Sequence, residues 1–402
     1  MQEGTMSEHI GLRVSRWRTM AGLTQQELGD AAGVTGSYIN MIEAGKRTLT
    51  RRSTIIRVAR ALGVSVEDLT AQPRRPRDAA ELAVHSAAPG IRRALDDDVD
   101  GPLPDVDDVA RRTDEVVRAR MACDYTTYAR LLPDLIADTR QLATTPTTRR
   151  KGQRLFVRAA FAGAVGLKSL GYVDLSMRLA ERGYGAALDL GEPEEIAASA
   201  FAVAQVALTG GSQRRSLSLA RAAAEQVGDT TTGDLAAWYG MLHLHAAISA
   251  AGLDRGDDAT SHYAEAEGAL RRSGGADGWR MEFTDANVKT WRAAIALENG
   301  EPGRAPEYAR QVRPEELRTN QRRARLHIDA GRGHFLAGNP EKAVRRFLAA
   351  DDVSAQELRS RSTVLELVGQ MVRDAPRGGS AELRDLAARL RIDPLNPEPE
   401  TN

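Results

Sequence analysis

Glycine and Gly-Pro interruptions recur through most of this chain, and the stretches between them constrain its fold more than any other feature. Between Asp105 and Leu390 they fall at Gly171, Gly191-Glu192-Pro193, Gly210-Gly211, Gly228, Gly252, Gly274-Gly275, Gly300-Glu301-Pro302-Gly303 and Gly338-Asn339-Pro340. Within the stretches apolar residues return three or four apart, as in Leu235, Trp238, Met241, Leu242 and the neighbouring His245. That period belongs to helices of about 11–20 residues joined by short turns. No alternating strand pattern competes. The expectation is an all-α chain, with an antiparallel stack of helical hairpins, an α-solenoid, over residues 105–392. Aromatic residues make up 4% of the sequence against 42% hydrophobic residues, so the core has to rest on Ala, Leu and Val, which suits close helix packing.

The 402 residues suffice for two or three domains. Residues 71–77 (AQPRRPR) are basic and carry two prolines, and read as a semi-rigid linker. Residues 96–108 (DDDVDGPLPDVDD) are acidic and break helices at Gly101, Pro102 and Pro104. The expected division is therefore a first domain over 1–71, a linker with a short helix over 72–104, the helical domain over 105–392 and a disordered tail over 393–402. A lone cysteine, Cys123, forbids an intramolecular disulfide, fits a reducing compartment and reads as a small buried apolar residue. No apolar run approaches the roughly 20 residues that span a bilayer, and the N-terminus lacks the pattern of a signal peptide, so a cytoplasmic protein with no membrane partner is expected.

The first 70 residues behave differently. Residues 10–21 form an amphipathic helix with Ile10, Val14 and Trp17 on one stripe. Thr24 is a good N-cap, with Glu27 completing a capping box. A second helix then runs from Gln25 to Ala32, and Gly33 supplies a left-handed turn. Thr35 caps a third helix that ends at Glu43 and Gly45. Two more follow over 52–62 and 66–70, the last capped by Ser65 with Asp68. Five short helices with a tight Gly turn between the second and third form a helix-turn-helix layout. Charge is segregated here. Residues 10–60 hold nine Lys/Arg and three Asp/Glu, although acidic and basic residues balance at 55 each in the whole chain.

The stretches LTQQELGDAAGV, SYINMIEAGKR and ALGVSVEDL resemble the Cro/phage-repressor (XRE) family over residues 10–69. The resemblance implies double-stranded DNA as partner and residues 35–43 as the recognition helix in the major groove. Gly36, Ser37, Asn40 and Met41 are then the outward positions, with the capping Thr35 at the start of the helix also counted in the DNA site. Asn40 suits bidentate pairing with adenine, Ser37 a base or phosphate, and Met41 a thymine methyl. Gly36 departs from the polar residue common at that position. Gln25 at a helix N-terminus suits a phosphate. Lys46, Arg47, Arg51 and Arg52 suit flanking phosphates, and Tyr38 is either core or phosphate-binding. Arg18 and Glu43 match a family pair that forms an internal salt bridge. Helix-turn-helix proteins commonly bind two half-sites, so a homodimer on an inverted repeat is expected.

Two turns of the later region, LAGNPEKA at 336–343 and ALENGEPGRA at 296–305, resemble those between paired helices of tetratricopeptide (TPR) repeats. The stretches WRMEFTDANVKTWRAAIALENGEPGRA and RRARLHIDAGRGHFLAGNPEKAV resemble the helical sensor region of actinobacterial regulators and, more distantly, TPR peptide receptors of the RRNPP type. That resemblance implies a peptide or small-molecule effector, with Asn287, Lys289, Trp291, Arg292 and Asp329 as candidate lining. No catalytic constellation, nucleotide loop or metal-binding spacing is present; His243 and His245 point to different helix faces. The expectation is a regulator without enzymatic activity, metal or cofactor. The alternative is a helical scaffold that binds a protein partner and is tethered to DNA by its first domain.

Overall fold

The computed structural model describes residues 9–73, 76, 78–97, 101–277, 279–376 and 379–392. The expected tail, residues 98–100 of the acidic break and three linker arginines (Arg74, Arg75, Arg77) lie outside them. Among the described residues there are twenty α-helices, one 3-10 turn and no strand. The first five are α1 (Ile10–Met20), α2 (Gln25–Ala32), α3 (Gly36–Glu43), α4 (Arg52–Leu62) and α5 (Val66–Thr70). Next come α6 (Ala79–Asp96), α7 (Val106–Ala122), α8 (Tyr125–Thr144), α9 (Arg149–Ser169) and α10 (Val173–Leu190). Then follow α11 (Pro193–Thr209), α12 (Gln213–Val227), α13 (Gly233–Ala251), α14 (Gly256–Ser273) and α15 (Asp285–Glu298). The last are α16 (Arg304–Ala309), α17 (Asn320–Leu336), α18 (Pro340–Arg359), α19 (Ser362–Asp374) and α20 (Ala381–Arg389).

The chain divides into two compact units. One comprises Met1–Ala71, Ala296–Arg310 and Ala324–Asn402; the other comprises Gln72–Ile295 and Gln311–Arg323. This division cuts across the expected single helical domain, because Ala296–Arg310 and Ala324–Asn402 share their contacts with the first 71 residues.

In the first unit the head folds as its caps dictate. Thr24 Oγ1 accepts the Glu27 amide while Glu27 accepts the Thr24 amide at 2.7 Å. Ser65 and Asp68 repeat the box. Gly33 sits at φ 66°, a left-handed conformation that costs a side-chain-bearing residue about 1 kcal/mol or more. Ile10, Val14, Leu28, Ile39, Ile42, Val58 and Leu69 close the head's own core. A second core in this unit joins Ile328, Val344, Phe347, Leu367, Val368 and Leu386.

In the second unit, each helix from α7 to α14 packs on the next as in a run of helical hairpins, and α7, α9, α11 and α13 also touch one another in sequence, as a TPR-like stack requires. Where a linker with a short helix was expected, α6 is 18 residues long and belongs to this core. Its Val84, Ala88, Ile91 and Leu95 recur three or four apart and are buried, and it packs on α8. That stripe outweighs the flanking Pro and acidic residues that suggested a linker. Cys123 is buried at the end of α7.

Candidate nucleic-acid interface

The surface of the helix-turn-helix head is set by which α2 and α3 side chains the core leaves outside. Ile39 and Ile42 point inward and are fully buried. Ser37 and Asn40 are consequently exposed, and Met41 is half-buried. Thr35 is committed to capping, its Oγ1 accepting the Tyr38 amide at 3.1 Å. Gly36, expected to face outward, is buried between α2 and α3. A Cβ there would lie 3.0 Å from Gln26 Cα and 2.5 Å from Gln26 Oε1. The absent side chain is what allows the two helices to approach, so Gly36 serves packing rather than contact.

A polar network steadies the outer face. Asn40 Nδ2 donates to Gln25 Oε1 at 3.1 Å, and Gln25 Nε2 donates to Glu43 Oε2 at 2.8 Å. Arg18 grips Glu43 through Nε at 2.6 Å and Nη2 at 2.9 Å. Burial works to raise the Glu43 pKa, but hydrogen bonds from Arg18 and Gln25 outweigh it and hold the carboxyl below its ordinary value. Gln25 is thereby a support for Asn40 and Glu43.

The basic residues separate into two sets. Lys46 and Arg47 are exposed next to α3. The Arg47 guanidinium lies 5.4 Å from the ring centroid of half-buried Tyr38, whose hydroxyl pKa is raised by burial. Arg51 and Arg52 face the later helices of the same unit instead. Arg51 Nε donates to the Glu298 carbonyl at 2.6 Å. The backbone amides of Arg52 and Ser53 approach the Glu298 carboxylate at 3.4 Å each. Burial pulls Arg52 down to about 10, with Glu298 opposing. The spacing of two arginines after the helix suggested phosphate clamps, but their partner lies almost 250 positions away and no local pattern could reveal it.

More contacts of this kind fix the head within its unit. Glu366 Oε2 accepts the Ile10 amide at 3.0 Å, and its Oε1 accepts Arg13 Nη2 at 2.6 Å. Arg332 Nη2 donates to the Thr50 carbonyl at 3.0 Å, and Gln370 Nε2 to the Lys46 carbonyl at 3.1 Å. All of them approach the head away from Ser37 and Asn40, which stay exposed.

The residues expected to line an effector site fall in different units. Asp329 belongs to the first unit, is sealed from solvent and pairs with Arg325 Nε at 2.6 Å and Arg332 Nη1 at 3.1 Å. The others lie in the second unit. Asn287 is also sealed, its Nδ2 donating to the Glu282 carbonyl at 2.7 Å. Lys289 is half-buried and pairs with Asp285 at 2.6 Å, one turn away. Trp291 packs edge-on to His245, with ring centroids 6.4 Å apart, under the Arg322 guanidinium. The Arg292 guanidinium lies over Tyr263. Asn287 and Asp329 are thus internal braces, because a buried amide or carboxylate has to find its partners inside the protein. His243 pairs with His262 across α13 and α14, Nδ1 to Nδ1 at 3.0 Å, a contact that sequence spacing did not suggest. Among the described residues no cluster of three or more His, Cys, Asp or Glu could hold a metal, and no helix is long and apolar enough to cross a membrane.

Residues 14–69 match the Helix-turn-helix family model. No curated protein matches the chain. Among solved structures it is similar to Bacillus thuringiensis PlcR in complex with the peptide PapR7 and DNA. That match has 14% identity and a TM-score of 0.28, and covers 66% of this chain and 95% of the other. It is also similar to ComR from S. thermophilus in complex with DNA and its signalling peptide ComS, at 12% identity and a TM-score of 0.28, covering 87% and 99%. Neither likeness is close enough to carry a residue's role across.

Proposed function

We propose, from the premise that residues 14–69 are an XRE-type helix-turn-helix DNA-binding domain, that this chain is a transcription regulator that reads a specific operator through α3. The observation that carries the reading is the exposed pair Ser37 and Asn40 on α3, flanked by exposed Lys46 and Arg47. In the proposed interface Asn40 pairs with an adenine edge, Ser37 reaches a base or phosphate, Met41 touches a thymine methyl, and Lys46 and Arg47 neutralise phosphates. Thr35, Tyr38 and Gln25 shape the face. Two heads on an inverted repeat, joined as a homodimer, would supply the affinity that one head lacks.

The helical part is proposed to sense a peptide or small molecule in the cytoplasm. Ten helices, α6–α15, are more than dimerisation requires, and a helical stack presents a long groove. The contacts of Glu298, Arg332, Glu366 and Gln370 tie the head to the later helices of its own unit, so a shift in those helices would carry the head with them.

The test is selection of bound sequences from random DNA, followed by titration of Asn40→Ala on the recovered site. The expected result is an inverted repeat, a loss of about 1–3 kcal/mol and relaxed preference at one base pair. Unchanged affinity and unchanged preference in Asn40→Ala would remove α3 as the reading element.

A further inference from the structure

Between α14 and α15 the chain takes a path that its own backbone disfavours. Trp279, Arg280 and Glu282 have φ of 54°, 60° and 60°. These lie in the left-handed region, which side-chain-bearing residues rarely adopt. What holds residues 279–284 there is a set of side-chain anchors. Trp279 meets Phe161 of α9 and Trp238 of α13 edge-to-face, at centroid distances of 5.6 and 5.8 Å, with the Arg158 guanidinium over its ring at 5.2 Å. Met281 is buried, and its Sδ lies 4.0 Å from Arg120 Nη2 of α7. Phe283 is buried against α13 at Gly240, where an added Cβ would come within 2.1 Å of the Phe283 ring.

Three alternate residues, two aromatic and one aliphatic, therefore enter one core through the faces of α7, α9 and α13. An extended peptide likewise places every second side chain in a pocket; here Glu282, between two of them, is buried as well, with its carboxylate on the Arg318 and Thr319 amides. The Glu194 carboxyl lies near the indole N–H groups of both Trp238 and Trp279; burial raises its pKa and the two indoles oppose that. A ligand free of the left-handed backbone could fill the same pockets without the strain.

We propose that the faces of α7, α9 and α13 form a binding groove for an extended peptide of aromatic–x–aliphatic–x–aromatic pattern, and that residues 279–284 occupy it as an internal stand-in until such a peptide displaces them. Displacement would release the Glu282 carboxylate, which now accepts the backbone amides of Arg318 and Thr319, the latter at 3.2 Å. It would also release Asn287, which holds the Glu282 carbonyl. The groove would thereby report its occupancy to the residues around 318–320. The inference deepens the sensor part of the proposed function, but its test reads peptide binding rather than operator affinity, so either can fail alone.

The probe is a fluorescein-labelled synthetic peptide copying residues 279–284, measured by anisotropy on the full chain. Trp279→Ala/Phe283→Ala, which empties the groove, should bind it about tenfold more tightly than the wild type, whose tethered segment competes at high effective concentration. Adding Arg158→Ala should weaken binding about threefold through the lost cation–π contact, and a scrambled peptide should not bind. Failure of the folded double variant to bind the peptide, or equal binding of the scrambled one, overturns the proposal. Should the double variant not fold, hydrogen exchange on the wild type decides. The Met281, Phe283 and Thr284 amides should exchange about 100-fold faster than buried amides of α13, through local opening. Exchange at the α13 rate overturns the proposal.

Discussion

Glu366 in one compact unit and Trp238 in the other are both almost sealed from solvent, and they occupy their places for opposite reasons. Glu366 is held by direction: its two oxygens each face one donor, the Ile10 amide and Arg13, and Arg13 in turn donates through Nε to the Leu69 carbonyl at 2.6 Å. Trp238 is held by shape, among Phe161, Phe201 and Trp279 at centroid distances of 5.7–5.8 Å. A directed pair tolerates one geometry and is costly to half-break. An apolar cluster tolerates exchange of one ring for another of similar size. The unit that carries the DNA-binding head thus fixes the head with charges, while the helical stack holds its aromatic cluster by close packing.

The largest expected loss lies in the apolar cluster. Trp238→Ala should lower the unfolding free energy by about 3–5 kcal/mol, read by urea denaturation, whereas Trp238→Phe should recover most of it. A loss below about 1 kcal/mol would mean that the ring cluster is not a packed core.

On the polar side, Glu366→Ala should cost about 3 kcal/mol, because Arg13 and the Ile10 amide lose a buried acceptor. The paired replacement Arg13→Met/Glu366→Leu should restore much of that stability and leave the head less firmly oriented. Faster hydrogen exchange at α1 in the pair, with near-wild-type melting, is the expected signature. Equal loss in the single and paired variants would contradict a directional role.

Acid should separate the two units as well. Burial holds the His245 imidazole neutral, with its pKa pushed down to about 4, while Ser216 Oγ lies 3.0 Å from its Nε2. The unfolded chain takes up that proton near the ordinary value of about 6.5, before the folded chain does. Stability from this group is therefore complete above about pH 6.5 and falls as the pH drops toward 4, by up to a few kcal/mol. His243, also pushed down to about 4 by burial and by His262, acts in the same window. His245→Gln should flatten the decline in melting temperature between these limits; an unchanged slope would assign the acid sensitivity elsewhere.

The smallest effect belongs to the exposed charges. Arg47→Ala should weaken binding to all DNA sequences alike and reduce the slope of log affinity against log salt by about one. Arg51→Ala should leave that slope unchanged, since Arg51 is turned to Glu298. Titrations at three salt concentrations compare the two.

The head was legible in the sequence almost to the residue because its signals are local. Thr24 with Glu27, Ser65 with Asp68, and the glycines at 33 and 63 each specify a helix end within four positions. The later breaks were legible for the same reason; Gly191, Gly228 and Gly274 all stand where helices stop. What the sequence hid is whatever depends on a distant partner. Arg51 and Arg52 read as phosphate clamps until Glu298 arrives beside them. Asp329 and Asn287 read as surface ligands, yet both are sealed from solvent; their partners Arg325, Arg332 and Glu282 are sequence neighbours, and the burial is what local pattern did not reveal. Gly36 is explained by Gln26 on the preceding helix, a contact that no propensity encodes. The winding of residues 279–284 through left-handed conformations has no glycine at Trp279, Arg280 or Glu282 to announce it.

The hydrogen bond between Asn40 and Gln25 bears on how selective the proposed operator reading can be. A lone amide on a helix can spin to greet any base with a complementary edge, and it loses that freedom on each encounter. Here the swing of Asn40 is already curbed by a neighbour on α2, which is itself tethered to Glu43. Accommodating a different base would require two amides to turn together and one to let go of a carboxylate. Much of the ordering is complete before DNA arrives, so a correct base pair gains more of its contact energy. A wrong one faces an amide that cannot easily adapt. Selectivity at that base pair would then be written partly in a side chain that never touches it.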